Sequence, residues 1–100
     1  MQRAFLGNYI MNAKFSPSVQ KELKKIQQKD RKLANRIEKQ IALFQENPKH
    51  PSLHTHKLSG TMDNMWSISI TTNIRMAYVL LDQKNVIFVK IGTHDEVYRK

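Results

Sequence analysis

Residues 65–92 read MWSISITTNIRMAYVLLDQKNVIFVKIG, and this stretch decides the fold. Its apolar, β-branched and aromatic residues fall into segments of strand length, separated by short polar runs, as in sheets joined by hairpins. The predicted strands are Met65–Thr71, Ile74 or Arg75 to Leu81, and Val86–Gly92. Asp82–Asn85 has the composition of a turn between the last two strands. The sequence therefore predicts a three-stranded antiparallel sheet near the C-terminus.

The two faces of this sheet follow from its turns. A last hairpin that is symmetric about Asp82–Asn85 places Arg75 opposite Gly92. In the preceding hairpin a two-residue turn would mix apolar and polar side chains on each face, so we expect a three-residue loop at Thr72–Ile74. One face is then apolar and suited to cover by helices. Its predicted cross-strand pairs are Ile70–Met76, Ile68–Tyr78, Trp66–Leu80, Met76–Ile91, Tyr78–Val89 and Leu80–Ile87.

The opposite face combines small side chains with long basic ones. Its predicted members are Ser67, Ser69, Thr71, Arg75, Ala77, Lys90 and Gly92. If the last strand continues past Gly92, His94 lies diagonal to Arg75 at about 7–8 Å. We interpret this face as an uncovered basic floor with an imidazole at its rim. A sheet face that is merely solvated is the alternative.

The N-terminal half predicts one strand and a helical hairpin. Alternating apolar residues favour a short strand in Asn8–Phe15, and Ser16 followed by Pro17 is typical of a helix start. Asp30 can cap a second helix, which ends at Glu46–Pro48 because proline disfavours helical geometry in the residue before it. Residues 49–60 are polar and predict a loop. The whole chain, residues 1–100, is expected to form one α+β domain with its helices on one sheet face.

The charge balance points to a polyanionic partner. Lys and Arg number 17 against 8 Asp and Glu, which gives a net charge of +9 and a pI of about 10.1. Nucleic acid is the first candidate, ahead of an anionic membrane and an acidic protein, and a solvated basic surface without a partner is the alternative. Basic residues of the predicted helices form either a solvated face or a surface that binds RNA phosphates. They are Lys21, Lys24, Lys25, Lys29, Arg31, Lys32 and Arg36.

Several kinds of chemistry are excluded or disfavoured. The chain has no cysteine, which removes disulfides, thiolate nucleophiles and thiolate metal sites and is compatible with a reducing cytoplasm. His54 and His56 are two residues apart without neighbouring carboxylates, a weak metal pattern, so we expect neither a metal nor a cofactor. No apolar run approaches the roughly 20 residues that span a bilayer. We therefore expect a soluble cytoplasmic protein that does not enter a membrane.

Two short motifs resemble a known family. Residues 91–99, IGTHDEVYR, together with His56–Gly60 upstream and Arg75 between them, resemble the RelE-like toxins of the RelE/ParE superfamily, particularly the YafQ-type branch. The resemblance implies a small sheet packed against helices. It also implies a toxin of a type II toxin–antitoxin system, a ribosome-dependent endoribonuclease that cleaves mRNA in the ribosomal A site. A cognate antitoxin would then wrap the toxin and mask or distort this surface.

The resemblance also implies the site. His56, His94 and Tyr98 fall at catalytic positions, and Arg75 falls where many relatives place a phosphate-binding arginine. Without a metal, the 2′-OH of RNA attacks the adjacent phosphorus, and histidines suit both proton transfers because their pKa values lie near working pH. We assign His94 as general acid and His56 as general base or its orienter, although these labels can be exchanged. Tyr98 is a proton donor or a stacking surface. The predicted RNA contacts are Lys57, Ser69, Lys90 and Arg99.

The chain departs from the YafQ-type branch at one place. That branch carries a further histidine and an aspartate in the strand-to-strand region, where this chain has Thr72, Asn73 and Ile74. The superfamily also includes ParE-like members that poison DNA gyrase without cutting RNA. A gyrase inhibitor and an inactive basic RNA-binding module are therefore the alternatives to a nuclease.

Overall fold

The computed structural model describes residues 10–58 and 64–98, which form one mixed sheet with helices on both of its faces. The elements are β1 (Asn12–Phe15), α1 (Pro17–Lys29), α2 (Arg31–Glu46), a 3₁₀ turn (Pro51–Leu53), β2 (His56–Lys57), β3 (Met65–Ser69), β4 (Ile74–Leu80), β5 (Asn85–Thr93) and α3 (His94–Tyr98). The strand order across the sheet is β1-β5-β4-β3-β2. The predicted α+β class is confirmed.

The sheet has more strands than the sequence predicted. The described part of the chain contains five, because β1 joins the edge of β5 in parallel and β2 pairs antiparallel with β3 at the other edge. The segment from Lys49 was expected to be a loop, but it contains the 3₁₀ turn and β2. A strand of two residues is too short to produce an alternating pattern, so the sequence carried no sign of it.

The helical hairpin forms as predicted. The Ser16 hydroxyl accepts a hydrogen bond from the Val19 backbone N–H at 3.2 Å, and the Asp30 carboxylate accepts one from the Leu33 N–H at 3.1 Å. Both contacts satisfy N–H groups that have no partner inside the helix. No helix within residues 10–58 and 64–98 is long and apolar enough to cross a membrane.

The main core lies between this hairpin and the sheet. Phe44 of α2 packs against Tyr78 of β4 and Phe88 of β5, with ring centroids 4.9 Å and 5.5 Å away. Tyr78 and Phe88 themselves are 5.3 Å apart with an edge-to-face tilt. Such pairs stabilise a core beyond the area they bury, so this aromatic cluster fixes α2 against the two central strands.

The pairing of β4 with β5 agrees with prediction only at the end away from the turn. Arg75 lies opposite Gly92 as expected, but an irregularity after Ala77 changes the register. The pairs predicted beyond it, Tyr78–Val89 and Leu80–Ile87, are wrong, because the observed ones are Tyr78–Phe88 and Leu80–Val86. A β-bulge places one extra residue on one strand. Here it turns Val86 and Phe88, both fully buried, into the core.

The pairing of β3 with β4 is two residues from the predicted one. The observed partners are Trp66–Tyr78, Ser67–Ala77, Ile68–Met76 and Ser69–Arg75, so the predicted Ile70–Met76, Ile68–Tyr78 and Trp66–Leu80 are wrong. A shift of two residues leaves every side chain on its predicted face. The cause is a loop of the predicted length that begins one residue earlier: the Ile70 N–H donates to the Ile74 carbonyl at 2.8 Å, so the loop is Thr71–Asn73 instead of Thr72–Ile74. The Thr71 hydroxyl accepts hydrogen bonds from the backbone N–H groups of Asn73 and Ile74 within this turn. Trp66 packs against the core as expected.

Tyr78 gives a test of this core. Burial raises its pKa from 10.0 to about 12, because the phenolate is excluded from water. A raised folded-state pKa means stability that is complete below pH 10.0 and is lost as the pH rises towards 12. Over this range we expect the free energy of unfolding of the wild type to fall by about 2 kcal/mol more than that of Tyr78→Phe. Urea unfolding of both proteins across the range measures it, and parallel losses would refute the assignment.

Candidate active site

The short helix α3 crosses the sheet face opposite α1 and α2. Thr93 and Glu96 form a reciprocal cap at its start: the Glu96 carboxylate accepts from the Thr93 N–H at 2.8 Å, and the Thr93 hydroxyl accepts from the Glu96 N–H at 3.3 Å. A Cβ on Gly92 would lie 2.5 Å from the Glu96 carboxylate oxygen. Glycine therefore leaves the space into which this carboxylate folds.

This helix corrects two expectations. His94 was placed diagonal to Arg75 on the condition that the last strand continues that far past Gly92, but the cap ends β5 at Thr93, and His94 begins α3. The basic face was expected to be uncovered, yet Val97 of α3 packs on Ala77 and Leu58 in a second small core. The sequence contained the signal for this, since Thr-x-x-Glu is the pattern of a capping box.

Arg75 lies beneath this cover and is only 9% exposed. Its Nε donates to the Ser67 hydroxyl at 3.0 Å, and its Nη2 donates to the backbone carbonyl of His54 at 2.7 Å. His54 has a left-handed backbone with φ of 44°, which aims its carbonyl at the guanidinium. Among the described residues no carboxylate forms an ion pair with Arg75. Its charge is therefore available to attract an anion.

A line of contacts leads from Arg75 to the surface. The Ser67 hydroxyl lies 3.0 Å from the Tyr98 hydroxyl, and the Tyr98 ring lies 4.3 Å, centroid to centroid, from the His94 ring. The His94 side chain is 70% exposed, and its Nδ1 is 3.8 Å from the Asp95 carboxylate. His94 and Arg75 thus share one face, connected through Tyr98 and Ser67.

His56 joins the same face from the edge strand. It pairs directly with Ser67 in the antiparallel β2–β3 ladder, so the two side chains leave the sheet on the same side with Cβ atoms about 5 Å apart. Its side chain is exposed. The structure therefore brings together all four residues that the sequence assigned to catalysis, His56, Arg75, His94 and Tyr98.

The residues predicted to contact RNA do not all lie on this face. Lys90 is exposed on this face, where its Nζ approaches the Glu96 carbonyl at 3.4 Å. Ser69 is beside Arg75, but its hydroxyl donates to the Thr71 carbonyl at 2.9 Å. Lys57 lies on the other face, with its Nζ 5.9 Å from the centre of the Trp66 ring. Arg99 is outside the described residues.

The role of Ser67 could not be inferred from the sequence. A serine on a polar strand face usually meets water, and nothing in the sequence shows that its hydroxyl lies between Arg75 and Tyr98. Metal ligands are a separate question: within residues 10–58 and 64–98, no group of three or more His, Cys, Asp or Glu side chains could hold a metal ion.

The comparisons with known proteins agree with this architecture. The fold is that of the small α+β toxins of type II toxin–antitoxin systems, as the resemblance to the RelE/ParE superfamily implied. Residues 11–99 match the family model described as the bacterial toxin of a type II toxin–antitoxin system, YafQ. The chain belongs to this YafQ toxin family. No curated protein sequence matches it significantly.

Solved structures of related toxins have the same fold at low identity. The YoeB/ParE toxin from Agrobacterium tumefaciens superposes with a TM-score of 0.71 at 20% identity, over 84% of this chain and 99% of that one. YafQ from Escherichia coli BL21(DE3) gives 0.69 at 19% identity, over 88% and 98%. YafQ in the E. coli DinJ–YafQ toxin–antitoxin complex gives 0.70 at 21% identity, over 89% and 98%.

The Gly92 contact predicts the effect of one methyl group. Gly92→Ala should displace the Glu96 carboxylate from the Thr93 N–H and lower the free energy of unfolding by about 1 kcal/mol, the usual worth of a helix cap. Urea denaturation measures the loss. In a Glu96→Ala background there is no carboxylate to displace, so Gly92→Ala should cost clearly less. An equal cost in both backgrounds would contradict the proposed contact.

Proposed function

We propose that this toxin is a ribosome-dependent endoribonuclease that cuts mRNA without a metal ion. The observation that carries the proposal is the convergence of two imidazoles, a phenol and a buried guanidinium on one sheet face. These groups suit the cleavage of RNA by its own 2′-OH. The overall charge of +9 suits a polyanionic substrate and a ribosomal partner.

The reaction needs three tasks from the protein. A base removes the 2′-OH proton while the 2′-oxygen bonds to phosphorus. The bond from phosphorus to the 5′-oxygen breaks, and an acid gives that oxygen a proton. The products are a 2′,3′-cyclic phosphate and a 5′-hydroxyl, and no redox partner or water is consumed. Charge that grows on the phosphate must be offset throughout.

The geometry supports one assignment of these tasks. His94 and His56 are both exposed, so each can reach substrate; His94 lies against the Tyr98 ring, and His56 pairs with Ser67 across the β2–β3 ladder. We assign His94 as acid and His56 as base, an order that reverses if the RNA strand runs the other way. Arg75 contributes charge from beneath, because the protein itself already uses its Nε and Nη2. Lys90 is an exposed cation on the same face.

Substitution of the histidines tests the nuclease. In a reconstituted translation reaction, His94→Ala and His56→Ala should each lower the rate of mRNA cleavage by about 10²–10⁴-fold, the usual effect of losing a general acid or base. His50→Asn is the matched control, since His50 caps the 3₁₀ turn through its ring nitrogen and asparagine can also cap. It should cleave at the wild-type rate.

Mapping of the RNA ends decides between functions. Cuts that appear only on translated mRNA and end in a cyclic phosphate support the proposal. Intact mRNA together with stalled DNA replication would refute it in favour of a gyrase-directed toxin. Full cleavage by His94→Ala would place the chemistry elsewhere in the molecule.

The basic helices are proposed to bind ribosomal RNA. Lys24, Lys25 and Lys29 are exposed on α1, away from the site. Changing all three to Glu should weaken ribosome binding and make its salt dependence shallower, by up to about 0.9 in log–log slope for each phosphate that the protein no longer neutralises. The same three positions changed to Arg keep the charge and should bind as wild type. A salt dependence unchanged by the Glu variant would show that this face is only solvated.

We also propose a cognate antitoxin as a partner. The E. coli relative is known in complex with the antitoxin DinJ. An antitoxin that inhibits this chain need only cover His94 and Tyr98 or displace α3, because α3 is a helix of five residues.

A further inference from the structure

We propose that Ser67 is a positioning residue that turns the proton of the Tyr98 hydroxyl towards the RNA. The inference rests on the nuclease function proposed above and gives Tyr98 a definite role, that of a hydrogen-bond donor to the phosphate. Ser67 does not touch substrate. It acts through Tyr98, under the constraint that Arg75 imposes.

Ser67 is enclosed between two polar partners. Ser67 is fully buried, and its hydroxyl oxygen lies 3.0 Å from the Arg75 Nε and 3.0 Å from the Tyr98 hydroxyl oxygen. A serine hydroxyl has one proton to donate and two lone pairs to accept with. Arginine is always charged and has no acceptor. Arg75 therefore always occupies one lone pair of Ser67 and never takes its proton.

The Ser67 proton then has one destination among the described residues. A buried donor without an acceptor is costly, and the Tyr98 oxygen is the acceptor within reach. If Ser67 donates to Tyr98, the Tyr98 proton cannot point back at Ser67. It must point away from the sheet, towards the face that carries His94 and His56. The Arg75 guanidinium strengthens the donation from Ser67 to Tyr98, because a hydroxyl that accepts from a charged donor becomes a better donor itself.

The consequence for RNA binding is directional. A phenol whose proton faces outwards can donate to a phosphate oxygen, whereas one that donates inwards presents only lone pairs to an anion. The ring of Tyr98 also packs against the His94 ring, with centroids 4.3 Å apart. The preference for an anion thus passes from the buried Arg75 cation through the Ser67 hydroxyl to the Tyr98 hydroxyl at the surface.

A double-mutant cycle tests the relay. The four proteins are wild type, Ser67→Ala, Tyr98→Phe and the double variant, assayed for the maximal rate and half-saturating concentration of mRNA cleavage on ribosomes. Each single change should lower the maximal rate roughly tenfold, the worth of one directed hydrogen bond. The double variant should be no slower than Tyr98→Phe alone, because Ser67 acts only through that hydroxyl. Multiplied effects would overturn the proposal.

A matched control and a second measurement protect the test. Ser18→Ala removes another hydroxyl with a hydroxyl neighbour, Ser16 at 3.2 Å, far from the site, and should cleave as wild type. Because Ser67→Ala leaves a buried Arg75 donor unpaired and can unfold the protein, the Arg75 Nε–H signal is also followed by NMR in the folded Tyr98→Phe variant. A shifted signal supports the relay, and an unchanged signal overturns it.

The two proposals can fail separately. If the wild-type protein leaves translated mRNA intact, the nuclease function is refuted. The NMR signal of Arg75 still reports whether Tyr98 and Arg75 are linked through Ser67. If the wild type cuts but the cycle is multiplicative, the nuclease stands and the positioning role of Ser67 is wrong.

Discussion

The buried guanidinium of Arg75 is the constraint on which this face of the molecule depends. A cation taken out of water needs compensation, and here it comes from neutral oxygens, those of Ser67 on β3 and His54 in the preceding loop. The left-handed backbone of His54 is unfavourable for a residue with a Cβ, and the 2.7 Å bond to Arg75 holds it. One side chain on β4 thus joins the His54 loop, β3 and, through Ser67, the C-terminal helix.

The two faces of the sheet differ in how extensively helices cover them. Long helices and an aromatic cluster cover one face, and they account for most of the buried apolar surface. Within the described part of the chain, the other face is covered by α3, whose five residues are too few to be helical alone. The helix α3 depends on the Thr93–Glu96 cap and on the packing of Val97 against Ala77. The thin cover allows Arg75 to be buried and yet to remain close to the surface of this face.

The sequence predicted which residues share a face, but it could not predict every partner. Alternation with a period of two is unchanged by a two-residue shift, so the pattern alone could not place Ile68 opposite Met76 rather than Tyr78. Val86–Val89 are all apolar, which hides the bulge. Helix caps at Ser16 and Asp30 were predictable because their signals are local. The burial of Arg75 depends on β2, which is too short to produce a pattern, and on α3, whose sequence signal is the Thr93–Glu96 capping box alone. The assigned roles of the site residues remain predictions.

Catalysis by proton transfer depends on where groups are held as much as on what they are. His94 is largely exposed, and its neighbour Asp95 lies 3.8 Å away and is itself solvated, so this pair orients the imidazole only weakly. Tyr98 is different, because its hydroxyl meets a fully buried serine that is itself fixed by a buried cation. Of the groups that reach the surface, the phenol is therefore the best ordered in the free protein. In the proposed nuclease, the imidazoles would acquire their final geometry only with RNA bound, and the fixed phenol would be the reference point against which the phosphate is placed.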